Sequence, residues 1–138
     1  MKQSILILLL VMTSALLVAC GDQGLEGDWM FDEQETRKTL EDSTLTQSEK
    51  DYVVSMFNTQ DLAIDSSGFT MKNLDGEVIE CKFESATETR ATGECYNVEG
   101  ESELRGVWQV NDNNGTTQLE WTISSAGETA IIVYQPVG

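Results

Sequence analysis

The sequence predicts a mainly β fold: an eight-stranded antiparallel up-and-down barrel with one helix between its first and second strands. Short segments alternate between apolar and polar residues, as strands with one buried face do. Turn residues separate these segments at short intervals, so strands that follow each other along the chain should pair antiparallel. Eight such strands most readily close into a barrel, because closure removes the unpaired edges. A two-sheet sandwich with the helix packed on one side is the alternative.

The first strand is predicted close to the start of the domain. Residues 25–31 alternate cleanly and place Leu25, Trp29 and Phe31 on one face. This pattern indicates a half-buried strand. The charged segment 32–43 that follows predicts no more than one or two helical turns.

A helix is predicted after this charged segment. Residues 46–49 fit a capping box, in which the Thr46 hydroxyl and the Glu49 carboxylate each accept a backbone N–H at the helix start. Apolar residues of one helical face follow: Tyr52, Val53, Met56 and Phe57. This face predicts a helix that runs to about Thr59 and packs on the core.

Seven further strands complete the predicted barrel. Asp75-Gly76 is the strongest hairpin signal among their turns. An Asn-Gly turn is predicted within 111–115. The same residues do not match an EF-hand calcium loop, because Val110 would occupy its first position, which requires an acid. The strands are predicted at 62–64, 69–74, 78–84, 91–98, 104–110, 118–123 and 129–134.

The N-terminus indicates export. Lys2 is the only charge before the apolar run 5–19, and this run is too short for a comfortable span, which needs about 20 apolar residues. A positive start, a short apolar middle and small residues at the end describe a secretory signal. The letters LVAC that end at Cys20 resemble the lipobox of bacterial lipoproteins. That resemblance implies diacylglyceryl transfer to the Cys20 sulfur and cleavage just before it.

The predicted organisation is a signal peptide at 1–19, a lipidated cysteine and tether at 20–24, and one domain at 25–138. An ordinary signal peptide that ends in cysteine is the alternative. The processed chain would be held in the cell envelope by acyl chains on Cys20. Gly21 replaces the aspartate that retains many lipoproteins in the inner membrane, which favours an outer membrane with the domain facing the periplasm.

The charge balance limits the partners. The chain has 24 acidic and 8 basic residues, for a net charge of −16. A surface this negative repels nucleic acid and anionic headgroups. We therefore expect no nucleic-acid partner and no membrane contact beyond the lipid anchor. Adaptation to a salty environment is another explanation of the acidic excess.

Two further cysteines predict a disulfide. Cys81 and Cys95 fall on consecutive predicted strands, and a cysteine pair in an exported domain favours a structural bond. Such a bond would stabilise the fold by about 3 kcal/mol on chain-entropy grounds. A redox-active or metal-binding pair is the alternative, but it usually has closer spacing and histidine, and the chain has no histidine.

Catalysis has little support in the sequence. Without histidine, a spare cysteine or a G-x-S-x-G elbow, the usual pairs of nucleophile and base are missing. The many carboxylates fall mostly in turns and on polar strand faces, where solvation explains them. The sequence therefore predicts no enzyme, no catalytic residue, no cofactor and no metal site.

The entry strand carries a family resemblance. Gly27-Asp28-Trp29 resembles the G-x-W motif of lipocalin-like (calycin) barrels, and the order of strand, helix and meander matches across residues 25–135. The resemblance implies that Trp29 closes one end of the barrel, often beneath an arginine. Arg105 is the candidate for that arginine.

Five aromatic residues are the candidate ligand site. They either fill the core or line a small apolar pocket within the barrel. They are Trp29, Phe69, Phe83, Trp108 and Trp121. The function predicted first is non-catalytic binding of a small apolar ligand or a protein partner. The second is a periplasmic inhibitor or immunity protein that captures a basic enzyme by electrostatic steering.

Overall fold

The structure is a computed structural model that describes residues 24–58, 61–113, 115–125 and 127–137. The predicted signal peptide, 1–19, and Cys20 lie outside these residues. Within the described ranges, no helix is long and apolar enough to cross a membrane.

The described residues form eight antiparallel strands in a nearly closed barrel, with both helices between the first and second strands. The predicted mainly β fold is therefore confirmed. In chain order the elements are β1 (Gly27–Phe31), α1 (Glu33–Glu41), α2 (Gln47–Phe57), β2 (Leu62–Ile64), β3 (Gly68–Lys72), β4 (Val78–Ala86), β5 (Arg90–Tyr96), β6 (Ser102–Asn113), β7 (Thr116–Ser125) and β8 (Glu128–Pro136).

The barrel closes through its first and last strands. The strand order is β2-β1-β8-β7-β6-β5-β4-β3. β1 pairs with β8 through contacts such as Phe31 with Tyr134. The remaining gap lies between β2 and β3, which meet at a single bridge from Asp65 to Gly68. The Asp65 carboxylate accepts hydrogen bonds from the hydroxyl and backbone N–H of Ser67 and from the Gly68 N–H, and these bonds lower the pKa of Asp65.

Helix α2 begins as the sequence predicts. The Glu49 N–H donates to the Thr46 hydroxyl at 3.2 Å, and the Thr46 N–H donates to the Glu49 carboxylate at 3.1 Å. The hydrogen bond that the Glu49 carboxylate accepts from the Thr46 N–H, followed by that from the Thr46 hydroxyl, lowers the pKa of Glu49. The helix ends at Phe57, with Asn58 as its C-cap. The capping box is confirmed, and the helix ends slightly earlier than predicted.

The sequence predicts one helix between β1 and β2, whereas the structure has two, because α1 is longer than the one or two helical turns expected there. Asp32 is its N-cap and accepts the Glu35 N–H at 3.1 Å. Most of its nine residues are polar, so no apolar stripe marked it in the sequence. Its buried residues are Thr36 and Leu40.

Threonine side chains of α1 take the place of a missing strand partner. β1 pairs only with the last three residues of β8, so the earlier edge of β8 faces α1. The Thr36 hydroxyl accepts a hydrogen bond from the Val133 N–H at 2.9 Å and donates one to the Val133 carbonyl oxygen at 3.3 Å. The Thr39 hydroxyl donates to the Ile131 carbonyl. The helix thereby satisfies backbone groups that an open barrel edge would leave unpaired.

Two neighbouring hairpin turns share one local design. In each, an asparagine side chain accepts two backbone N–H groups, two and four residues further on, at 2.9 to 3.0 Å. A glycine with φ of 81° follows, Gly76 in one turn and Gly100 in the other. The turns are 73–77 (NLDGE) and 97–101 (NVEGE). Each presents two exposed acids and one exposed apolar side chain at the same end of the barrel.

The disulfide joins two adjacent strands. Cys81 of β4 lies directly opposite Cys95 of β5, and their sulfur atoms are 2.04 Å apart. Both residues are buried in the core. The predicted pairing is confirmed, and the bond fastens the β4–β5 hairpin from inside the barrel.

Replacing Thr36 with valine tests how α1 holds β8. Thr36→Val keeps the shape of the side chain but leaves the buried N–H of Val133 without its acceptor. The Val133 carbonyl keeps the hydrogen bond that the Asp32 N–H donates at 2.9 Å. We expect the free energy of unfolding to fall by about 1–3 kcal/mol. Urea unfolding followed by tryptophan fluorescence measures it. The exposed Thr44→Val variant is the control and should change stability by less than about 0.5 kcal/mol. Equal effects of the two variants would contradict this role.

Removing the disulfide should lower the free energy of unfolding, because the bond restricts the conformations of the unfolded chain. The double variant Cys81→Ala/Cys95→Ala is expected to lose about 3 kcal/mol. Urea unfolding with and without a thiol reductant measures the effect. The wild type should lose stability in reductant, whereas the double variant should be insensitive to it. A wild type that unfolds at the same urea concentration in both conditions would refute the prediction.

Candidate functional site

The predicted aromatic residues fill the barrel interior. Trp108 of β6 lies directly opposite Trp121 of β7, with ring centroids 5.3 Å apart. Phe69 packs edge-on against both indoles at 5.6 and 5.5 Å. Phe83 contacts Trp108 at 5.2 Å and is partly exposed. The structure thus brings four of the five predicted residues into one cluster, packed against each other.

Trp29 belongs to the same buried core, but among the described residues its ring does not pair with those of the other four. It is fully buried, and its indole N–H donates to the Leu25 carbonyl at 2.9 Å. The prediction that Arg105 covers Trp29 is wrong. Arg105 is on the outer surface, where its guanidinium contacts Glu94 at 3.1 Å and Glu84 at 3.5 Å. Strand alternation explains the error, because Arg105 points outward while its neighbours Leu104 and Gly106 point inward.

A glycine makes room for the paired indoles. A Cβ at Gly106 would lie 2.5 Å from Nε1 of Trp121 and 3.1 Å from Trp108. A larger residue at 106 would therefore displace one of the rings. In the described part of the chain, the indole N–H groups of Trp108 and Trp121 have no hydrogen-bond acceptor. Burying these two donors without an acceptor is unfavourable, and the apolar packing of the rings offsets this cost in free energy.

An apolar cleft opens at the end of the barrel that α2 covers. Its volume is about 240 Å³. It lies between one face of α2, the segment before this helix, and strands β6 to β8. The residues that line it are Leu45, Val53, Met56, Phe57, Leu104, Ile123, Glu128, Thr129 and Ala130. We call it the end cleft.

The floor of the end cleft belongs to the core. Phe57 and Ile123 line the cleft and are also members of the buried cluster. The ring of Phe57 contacts Trp121 edge-on at 5.1 Å. A molecule in the cleft would touch a direct neighbour of Trp121.

The predicted helix face is only partly correct, since Phe57 is buried while Val53 and Met56 remain partly exposed. Tyr52, which the sequence places on this face, is exposed, and Val54 is buried instead.

Polar groups stand on one side of the end cleft. Glu128 and Thr129 begin β8 and are exposed. Among the described residues, no basic side chain lines this cleft. Lys50, on the same helix as Val53, lines a separate groove between α1 and α2 with Arg37 and Glu41. Nor do any three histidine, cysteine, aspartate or glutamate residues in the described ranges come together as a metal site would require.

A larger cleft lies on the outer surface of β2, β3 and β4. Its volume is about 490 Å³. Exposed polar side chains line much of it, including Asp65, Thr70 and Lys82. Ligand sites usually combine an apolar lining with a few polar groups. The end cleft fits that description better, despite its smaller volume.

Comparison with known proteins assigns no family. No protein-family model matches this sequence, and a search of curated proteins finds no significant match. The end cleft and the sequence motifs are therefore the basis for inferring function.

Proposed function

We propose that this chain is a lipid-anchored envelope lipoprotein with a lipocalin-like barrel, and that its end cleft binds a small apolar ligand without catalysis. The observation that carries the proposal is the cleft itself. Seven of its lining side chains are apolar, and two of them continue into the core. Partly exposed apolar surface at Val53, Met56 and Leu104 is available for a ligand to cover.

The position of the chain entry supports this arrangement. The N–H of Leu25 donates to the carbonyl of Glu88 at 2.7 Å, so the domain begins beside the β4–β5 turn. The end cleft includes Glu128, which follows the β7–β8 turn. In an up-and-down meander these two turns lie at opposite ends of the barrel. A tether of a few residues to Cys20 would place the β4–β5 end next to the membrane and open the cleft away from it.

The volume of the cleft limits the ligand. One water occupies about 30 Å³ in the liquid, and a methylene group is of similar size. A cleft of 240 Å³ therefore holds about eight such groups. The part of the ligand that enters is accordingly small, and a short alkyl chain is the simplest group of this size.

Binding of straight-chain alcohols tests the proposal. We expect affinity to rise by about 0.8 kcal/mol per methylene buried, and to level off near eight carbons. A change in tryptophan fluorescence measures binding, because Phe57 lies between the cleft and Trp121. Ala130→Phe should fill the cleft and abolish the response. Ala63→Phe, in the larger outer cleft, is the matched control and should bind as the wild type does. Loss of binding only in Ala63→Phe, or in neither variant, would overturn the assignment to the end cleft.

Mass spectrometry of protein isolated from bacterial envelopes tests the anchor. The wild type is expected to lack residues 1–19 and to carry acyl chains on Cys20. Cys20→Ser should remain at its unprocessed, unlipidated mass, because the serine hydroxyl is a much weaker nucleophile than a thiolate. Cys81→Ala/Cys95→Ala is the control that should still be lipidated. A wild-type protein with an intact leader and an unmodified Cys20 would disprove the anchor.

A further inference from the structure

We infer that the ligand of the end cleft carries a positive charge, as an unbranched alkyl chain that ends in a protonated amine. The inference rests on the proposed function, because it specifies the ligand of the same cleft. It follows from the kind and position of the charged groups around the cleft.

Glu128 is the one charged residue among those that line the end cleft. It begins β8, and Ala130 lies two residues further along the same strand. Alternate residues of a strand point to the same side, so the carboxylate of Glu128 and the methyl group of Ala130 share one face. A ligand whose alkyl chain packs on Ala130 and Ile123 would place its head group beside the Glu128 carboxylate, at the exposed side of the cleft.

The nearby cations do not line the end cleft. Lys50 faces the groove between the two helices. Arg105, next to the lining residue Leu104, is held on the outer surface by Glu94 and Glu84. An anionic head group at the cleft would therefore meet Glu128 without a compensating cation among the residues that line it.

The net charge of the whole protein also favours a cationic ligand. The net charge of −16 creates a negative potential that attracts cations and repels anions. A fatty acid is thus a poor candidate although its chain would fit. An amine with the same chain gains both the apolar contact and the attraction of the carboxylate.

Three ligands with the same eight-carbon chain separate charge from apolar burial. They are octylammonium, octan-1-ol and octanoate, titrated at neutral pH and low salt against tryptophan fluorescence. We expect octylammonium to bind about fivefold more tightly than octan-1-ol, the scale of a solvent-exposed ion pair. Octanoate should bind more weakly than octan-1-ol. The preference for octylammonium should shrink at high salt, because salt screens exposed charges.

Glu128→Gln removes the carboxylate and keeps the size of the side chain. It should bring the affinity for octylammonium close to that for octan-1-ol. Asp112→Asn makes the same change of charge at an exposed site on β6, toward the other end of the barrel, and should keep the preference. If octan-1-ol binds but octylammonium binds no more tightly, or the preference survives Glu128→Gln, this inference fails and the proposed function stands. If none of the three ligands binds, both fail.

Discussion

The hydrogen bonding of β8 is the constraint on which the barrel depends. This strand pairs with β7 along its length, but its other edge is shared between β1 and α1. Three residues of β1 pair with its end. The Val133 N–H donates to the Thr36 hydroxyl, and the Val133 carbonyl accepts from the Asp32 N–H and from the Thr36 hydroxyl. An unpaired strand edge is a site for association with other chains. The polar helix α1 therefore covers this edge of β8 and provides hydrogen-bond partners as a neighbouring strand would.

The packed interior limits where the proposed ligand could bind. Trp108 and Trp121 pack against each other across β6 and β7 with their rings tilted by 31°, and Gly106 leaves them the space to do so. With Phe69 against both rings, apolar side chains fill this part of the barrel as small barrels allow. Open apolar volume is found instead at the end covered by α2, where Phe57 separates the end cleft from Trp121. The site is thus a product of how the helices cap the barrel.

Local signals in the sequence predicted much of this fold. Alternation identified the strands, and the capping box located α2 because its bonds join residues only three apart. Cys81 and Cys95 were placed on neighbouring strands, where they lie opposite each other. The sequence also contained a signal that periodicity did not find. The related turns 73–77 and 97–101 repeat an asparagine followed, three residues later, by a glycine.

The sequence by itself determined the alternation of the strands, the start of α2, the acidic charge and the pairing of the cysteines, because each depends on residues close together or on residue type alone. Only the tertiary structure decided the rest. Thr36 finds its partner 97 residues away on β8, and the end cleft unites residues from α2, β6, β7 and β8. No local pattern encodes such distances, since they are set when the barrel closes and the helices pack across its end.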